Sequence, residues 1–138
     1  MDMGMIEVKT DDLIGLPLDW AIAEIEGYTL TTDGISMLVK KDDKLLILGS
    51  NDTIGYSPST NWNQLGPLIK KNDIVIGNHA SGNPEREGEF WGSAHCFRSG
   101  TSFETYAGVE VAACRAMVAY HHGQTVSIPV ELMTKAGA

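Results

Sequence analysis

A chain of 138 residues, 43% hydrophobic and 20% charged, can bury a sizeable core, and one globular domain over residues 1–138 is the expected organisation. With 18 acidic against 10 basic residues its net charge is −8, the wrong sign for a protein that gains affinity by neutralising a phosphate backbone, so broad nucleic-acid binding is disfavoured. Cys96 and Cys114 form no CxxC pair, no secretory segment follows Met1 and no apolar run approaches the ~20 residues that span a bilayer, so a cytoplasmic protein with free thiols and no membrane role is expected.

Met1 to Met5 carries no pattern and reads as a frayed start, and Ile6 to Lys9 alternates as a short strand. Thr10, Asp11 or Asp12 can then cap a helix in which Leu18, Ile22 and Ile25 share one stripe, with the regular part over Pro17 to Glu26 and Trp20 facing the core. Tyr28 to Thr31, Ile35 to Val39 and Lys44 to Leu48 read as strands joined by tight turns, with Asp33-Gly34 at one tip and the solvated carboxylates Asp42 and Asp43 at the next.

The densest concentration of side chains suited to binding is Tyr56-Ser-Pro-Ser-Thr-Asn-Trp-Asn-Gln-Leu-Gly-Pro-Leu68. It holds no charge, and its aromatics could stack on a flat ring while small hydroxyls and amides satisfy the ring's polar edge. On that reading Tyr56, Ser57, Ser59, Thr60, Asn61 and Trp62 form a ligand-binding lip; the structural alternative is an irregular connection in which Trp62 fills core. Asn61 and Gln64 have capping-box spacing, and Gly66-Pro67 marks a break between two turns.

Beyond it, Ile74 to Ile76 reads as a buried strand and Asn78 to Glu89 as a mobile polar loop. Phe90 to Phe97 alternates large and small residues as a strand, which points His95 and Cys96 to opposite faces. From Thr105 or Tyr106 to His122 an alanine-rich stripe through Val111, Cys114, Val118 and His121 predicts a helix stopped by Gly123, with His121 and His122 suiting its C-terminal dipole. Thr125 to Ile128 reads as a closing extended segment, Pro129 to Leu132 as a final turn, and the last residues as frayed. These elements predict an α+β fold, a small mostly antiparallel sheet with two main helices packed on one face.

The sequence contains no P-loop, G-x-S-x-G elbow, H-E-x-x-H pair or zinc-ligand spacing, and nothing in the spacing of His79, His95, Cys96, His121 and His122 brings them together. No catalytic residue, metal or cofactor is therefore expected, and a hydrolase is the least supported class.

Three stretches together resemble the NinX-like family of small tailed-phage and prophage proteins: Asp12-Leu-Ile-Gly-Leu-Pro-Leu-Asp-Trp-Ala-Ile-Ala23, the stretch from Tyr56 to Ile69, and Ala112-Ala-Cys-Arg-Ala-Met-Val118 leading to Gly123 and Val126-Ser-Ile-Pro129. The family usually shows Asp where Asn61 stands and Gly-Gly-Pro at Leu65-Gly66-Pro67, and the lost carboxylate argues against acid-base or metal chemistry in this motif. The resemblance implies a phage origin, host-facing biology in the host cytoplasm and no particular activity. It makes a small nucleotide-like host signal a natural guest, held by a non-enzymatic accessory protein that sequesters it against host defence. The alternative is a module that inhibits a host or phage protein, and self-association into a homo-oligomer is a further partner class.

Overall fold

The computed structural model describes residues 4–136. Of the frayed ends expected at Met1 to Met5 and in the last residues, Met1 to Met3, Gly137 and Ala138 lie outside the described residues, while Val130–Ala136 is helical where a final turn and fraying were expected. Along the chain come β1 (Met5–Lys9), α1 (Gly15–Ile25), β2 (Thr29–Thr32), β3 (Met37–Lys41), β4 (Lys44–Leu48), β5 (Gly55–Tyr56), α2 (Trp62–Lys71), β6 (Ile74–Ala80), β7 (Phe90–Cys96), β8 (Thr101–Thr105), α3 (Val109–His122), β9 (Thr125–Pro129) and α4 (Val130–Ala136). The class is α+β, as expected. The strands divide into three sheets, β1-β9, β2-β3-β4-β5 and β6-β7-β8, antiparallel throughout except for the β4–β5 pairing.

The β6-β7-β8 sheet and β9 both pack against α3. Its residues Val111 to Val118 are buried without interruption. A helix apolar on every side has no solvent face, and four alanines among its residues let neighbours approach from all directions. β6, β7 and β8 cover one flank, while α1, α2 and β9 pack on the others. The one cation in this buried run, Arg115, donates from Nε to the Leu13 carbonyl at 2.8 Å, which ties the lead-in of α1 to α3.

Several local expectations hold. Asp33 accepts N–H bonds from Ile35 and Ser36 at the β2–β3 turn, and Asp42, at φ +54°, lies at the β3–β4 tip. Cys96 is fully buried while its neighbour His95 looks outward.

Other elements are displaced, for identifiable reasons. Met5 is not frayed but pairs with Pro129 as the first residue of β1. Thr10, Asp11 and Asp12 do not cap α1; they form a 3-10 turn, and the Thr10 hydroxyl donates to the Gly123 carbonyl at 2.7 Å, joining β1 to the end of α3. Gly66-Pro67 does not break α2, which runs through Pro67. The ring sits past the first turn and forfeits one backbone bond, which the packing of Leu65 and Leu68 offsets. The strand at Ile74 continues to Ala80, shortening the expected loop. Residues 101–105 pair with β7 as β8, so α3 begins only at Val109.

Trp20 is 9% exposed in the core, whereas Trp62, the first residue of α2, is 47% exposed. Trp20→Ala is expected to cost about 3–5 kcal/mol through the cavity it leaves, against less than about 1 kcal/mol for Trp62→Ala. Urea midpoints of the two variants beside wild type check this, and equal drops would place both indoles in the core.

Candidate functional site

The stretch from Tyr56 to Trp62 divides into an inner and an outer part. Parallel pairing of β5 with β4 puts Tyr56 opposite Leu48 and turns its ring inward, where it is 6% exposed and lies 5.0 Å from the Tyr28 ring centre. Burial pushes its phenol well above the ordinary tyrosine range. Ser57 is buried and committed: its N–H donates to Gln64 Oε1 at 2.6 Å, and its hydroxyl bonds that of Thr60. Gln64 also donates from Nε2 to the Gly55 carbonyl at 2.7 Å, so its side chain braces the turn instead of completing the expected capping box. Asn61 alone caps α2, accepting the Asn63 N–H at 2.9 Å.

Thr60, Asn61 and Trp62 reach the surface. Asn61 lines an open groove of about 350 Å³ with Asn51, Asp52, Thr53, Asn63 and Gln64, but neither Trp62 nor Tyr56 lines it. The six residues of the expected lip therefore do not share one cleft, and the two aromatics face different environments.

Ser59 is held by a residue that sequence reasoning left without a role. Its N–H donates to Asp19 Oδ1 at 2.9 Å, so the first and second family-like stretches meet inside the protein. Asp19 is 2% exposed, and burial pushes its carboxyl up from 3.8 to about 6 against the lowering effect of the Ser59 bonds.

A second arrangement lies on the outer face of the β6-β7-β8 sheet, where strand alternation exposes His79 of β6, Trp91, Ser93 and His95 of β7, and Ser102 and Glu104 of β8. His79 stacks on Trp91 with ring centres 4.1 Å apart. Its Nε2 is 2.9 Å from the Ser93 hydroxyl, and His95 Nδ1 is 2.6 Å from that of Ser102. These groups flank a trough of about 330 Å³ crossing Gly77, where an added Cβ would come within 2.7 Å of His79 Nε2.

Beside the trough, Trp91, Glu104, Thr105 and Tyr106 line a hollow of about 260 Å³. Trp91 and Tyr106 stand where the next cross-strand pair after Gly92 and Thr105 would fall, yet their rings make no contact with each other. Arg86, which does not line the hollow, puts its guanidinium 3.9 Å from the Tyr106 ring centre, and Ser81 bonds the Tyr106 hydroxyl at 2.9 Å. The alternation from Phe90 to Phe97 contained the signal for half of this face; the other half required β8. Among the described residues no three His, Cys, Asp or Glu side chains are grouped so as to hold a metal ion, and no helix is long and apolar enough to cross a membrane.

The fold and this face define a small α+β protein with an open, aromatic-bearing sheet surface. Residues 9–121 match the family described as Bacteriophage P22, NinX, and the chain belongs to that family. No curated protein matches it.

Asp19 makes the stability of this site pH-dependent. Its folded-state pKa lies above the unfolded value, so its contribution is fully present below pH 3.8 and is lost as pH rises through about 6. A difference of that size corresponds to about 3 kcal/mol. Asp19→Asn keeps an oxygen for the Ser59 N–H without the buried charge, so the variant should gain on wild type between pH 4 and 7. Urea midpoints across that range check it, and parallel pH profiles would refute the assignment.

Proposed function

We propose that this NinX-family chain is a non-enzymatic binder of a small nucleotide-like ligand, held on the outer face of β6-β7-β8, and that it acts by sequestering a host nucleotide signal. The observation that carries the reading is the hollow of about 260 Å³ lined by both Trp91 and Tyr106, where a flat ligand ring would meet two aromatic side chains. Each stacking partner in such a site contributes on the order of 1–3 kcal/mol. The adjoining trough, with the hydroxyls of Ser93 and Ser102 and the imidazoles of His79 and His95, offers donors for a sugar and its phosphate. Such local donors can hold one anion on a protein of net charge −8 that would repel a polyanion.

One feature supports binding over turnover. The Ser93–His79 and Ser102–His95 pairs have the spacing of nucleophile and base, but among the described residues neither imidazole has a carboxylate on its other nitrogen. The Tyr56 to Trp62 stretch serves as scaffold in this reading, through the Asp19–Ser59 bond and the Gln64 brace. A protein-docking role is the second reading, favoured by Trp62, whose exposed ring has no aromatic or cationic partner among the described residues.

Titration calorimetry against mono-, di- and cyclic nucleotides is the test. Saturable one-to-one binding is expected, with Tyr106→Ala and Trp91→Ala each weakening it roughly five- to 150-fold. Tyr106 is 42% exposed just beyond the end of β8, so its removal should leave the urea midpoint near wild type. A flat response to every nucleotide would remove this reading, and a stoichiometric protein partner without a small molecule would replace it with the second.

A further inference from the structure

Within that nucleotide-binding reading, on which this inference rests, we infer that Glu104 makes the hollow selective for guanine among the bases. Glu104 lines both the hollow and the trough, and its carboxylate has no ion-pair or hydrogen-bond partner among the described residues. Trp91 and Tyr106 supply faces, which every base can use, and so carry no base identity. Glu104 supplies an edge contact, which does.

An ionised carboxylate only accepts, through two oxygens side by side. The edge that matches it presents two adjacent donors, and charge-assisted bonds made in pairs are the stronger and more directional kind. Guanine has such an edge, with its ring N1–H beside its exocyclic 2-amino group. Adenine sets a ring-nitrogen acceptor next to its amino group, and cytosine does the same, so one carboxylate oxygen would face a lone pair. Uracil offers a single ring N–H between two carbonyl oxygens. Hypoxanthine keeps the ring N–H and lacks the amino group, which places it between guanine and adenine.

Shielding raises the contrast. Glu104 is exposed to water before a base binds. A base seated between the two rings displaces that water, so an edge that fails to donate leaves the carboxylate less well satisfied than before binding. The other polar groups of the trough, Ser93 with His79 and Ser102 with His95, are already paired, which leaves Glu104 as the acceptor without a partner.

Calorimetry with guanosine, inosine, adenosine and cytidine monophosphates, on wild type and on Glu104→Gln, tests the assignment. Wild type should prefer the guanine nucleotide over the adenine one roughly ten- to hundredfold, with inosine between them. Glutamine is isosteric and presents one acceptor beside one donor, the complement of adenine's amino group and ring nitrogen. The variant should therefore lose the guanine preference and gain affinity for the adenine nucleotide, and because Glu104 is exposed the substitution should leave the fold intact. Nucleotides that bind without base preference, or a preference that survives in Glu104→Gln, would overturn the role of Glu104 and leave the binding reading standing. No binding by any of the four to either protein would overturn the role of Glu104, and the same result with the di- and cyclic nucleotides would overturn the binding reading as well.

Discussion

The constraint on which the rest of the structure depends is the enclosure of the middle of α3. A helix buried on every side must meet its neighbours at short distance, and the run Val-Ala-Ala-Cys-Arg-Ala-Met-Val from 111 to 118 supplies the small side chains for this. One close approach is at Gly92 of β7, where an added Cβ would lie 2.3 Å from the Val109 backbone nitrogen. A side chain there would push β7 away from the start of α3. Because Gly92 points inward, Trp91 and Ser93 on either side of it point outward, so one close contact fixes the placement of the outer face.

Polar groups inside the protein act as cross-links between distant segments. Thr10 joins β1 to the end of α3, Arg115 joins α3 to the lead-in of α1, and Asp19 joins α1 to the turn before α2. Each satisfies a backbone group that packing would otherwise leave unpaired, where the cost is greatest. The surface pairs Lys71–Glu26 and His122–Glu24 bridge some of the same elements, but solvent weakens such contacts. Asp19 and Arg115 both carry a charge that burial disfavours, and for Asp19 the carboxyl is pushed up to about 6. The tie it makes opposes its own desolvation, and an amide could make the same bond without that cost.

Legibility in the sequence followed the range of the interactions. Turns set by Asp33-Gly34 and Asp42, the stripe of α3 and its Gly123 stop are local, and all were readable. β8 was missed because Thr101 to Thr105 is short and runs up to an alanine-rich helix, and only its pairing with β7 makes it a strand. The Asp-rich segment before α1 looked like a cap, yet Thr10 is claimed by Gly123, a residue 113 positions away. The Tyr56 to Leu68 stretch was ambiguous for a related reason. Tyrosine, serine and amide side chains suit a pocket lip and a braced interior turn equally, and the parallel β4–β5 pairing that turns Tyr56 inward has no sequence signature. On the outer sheet face the individual residues were visible, but their grouping on one surface came from three strands drawn together.

That grouping also determines how much of a binding site is prepared in advance. His79 holds Trp91 by stacking and is itself held by Ser93, while Tyr106 is fixed at its hydroxyl by Ser81 and covered by Arg86, which in turn pairs with Glu89 at 3.4 Å. Both walls of the hollow are restrained by residues that do not line it. A ring entering between them would order few side chains on arrival, so less of its stacking energy would offset lost rotamer entropy. Glu104 has no such support and keeps its freedom until something donates to it. In the proposed site, rigid aromatic faces beside one uncommitted acceptor would divide the work of recognition: the faces would set affinity for flat rings as a class, and the acceptor would distinguish among them.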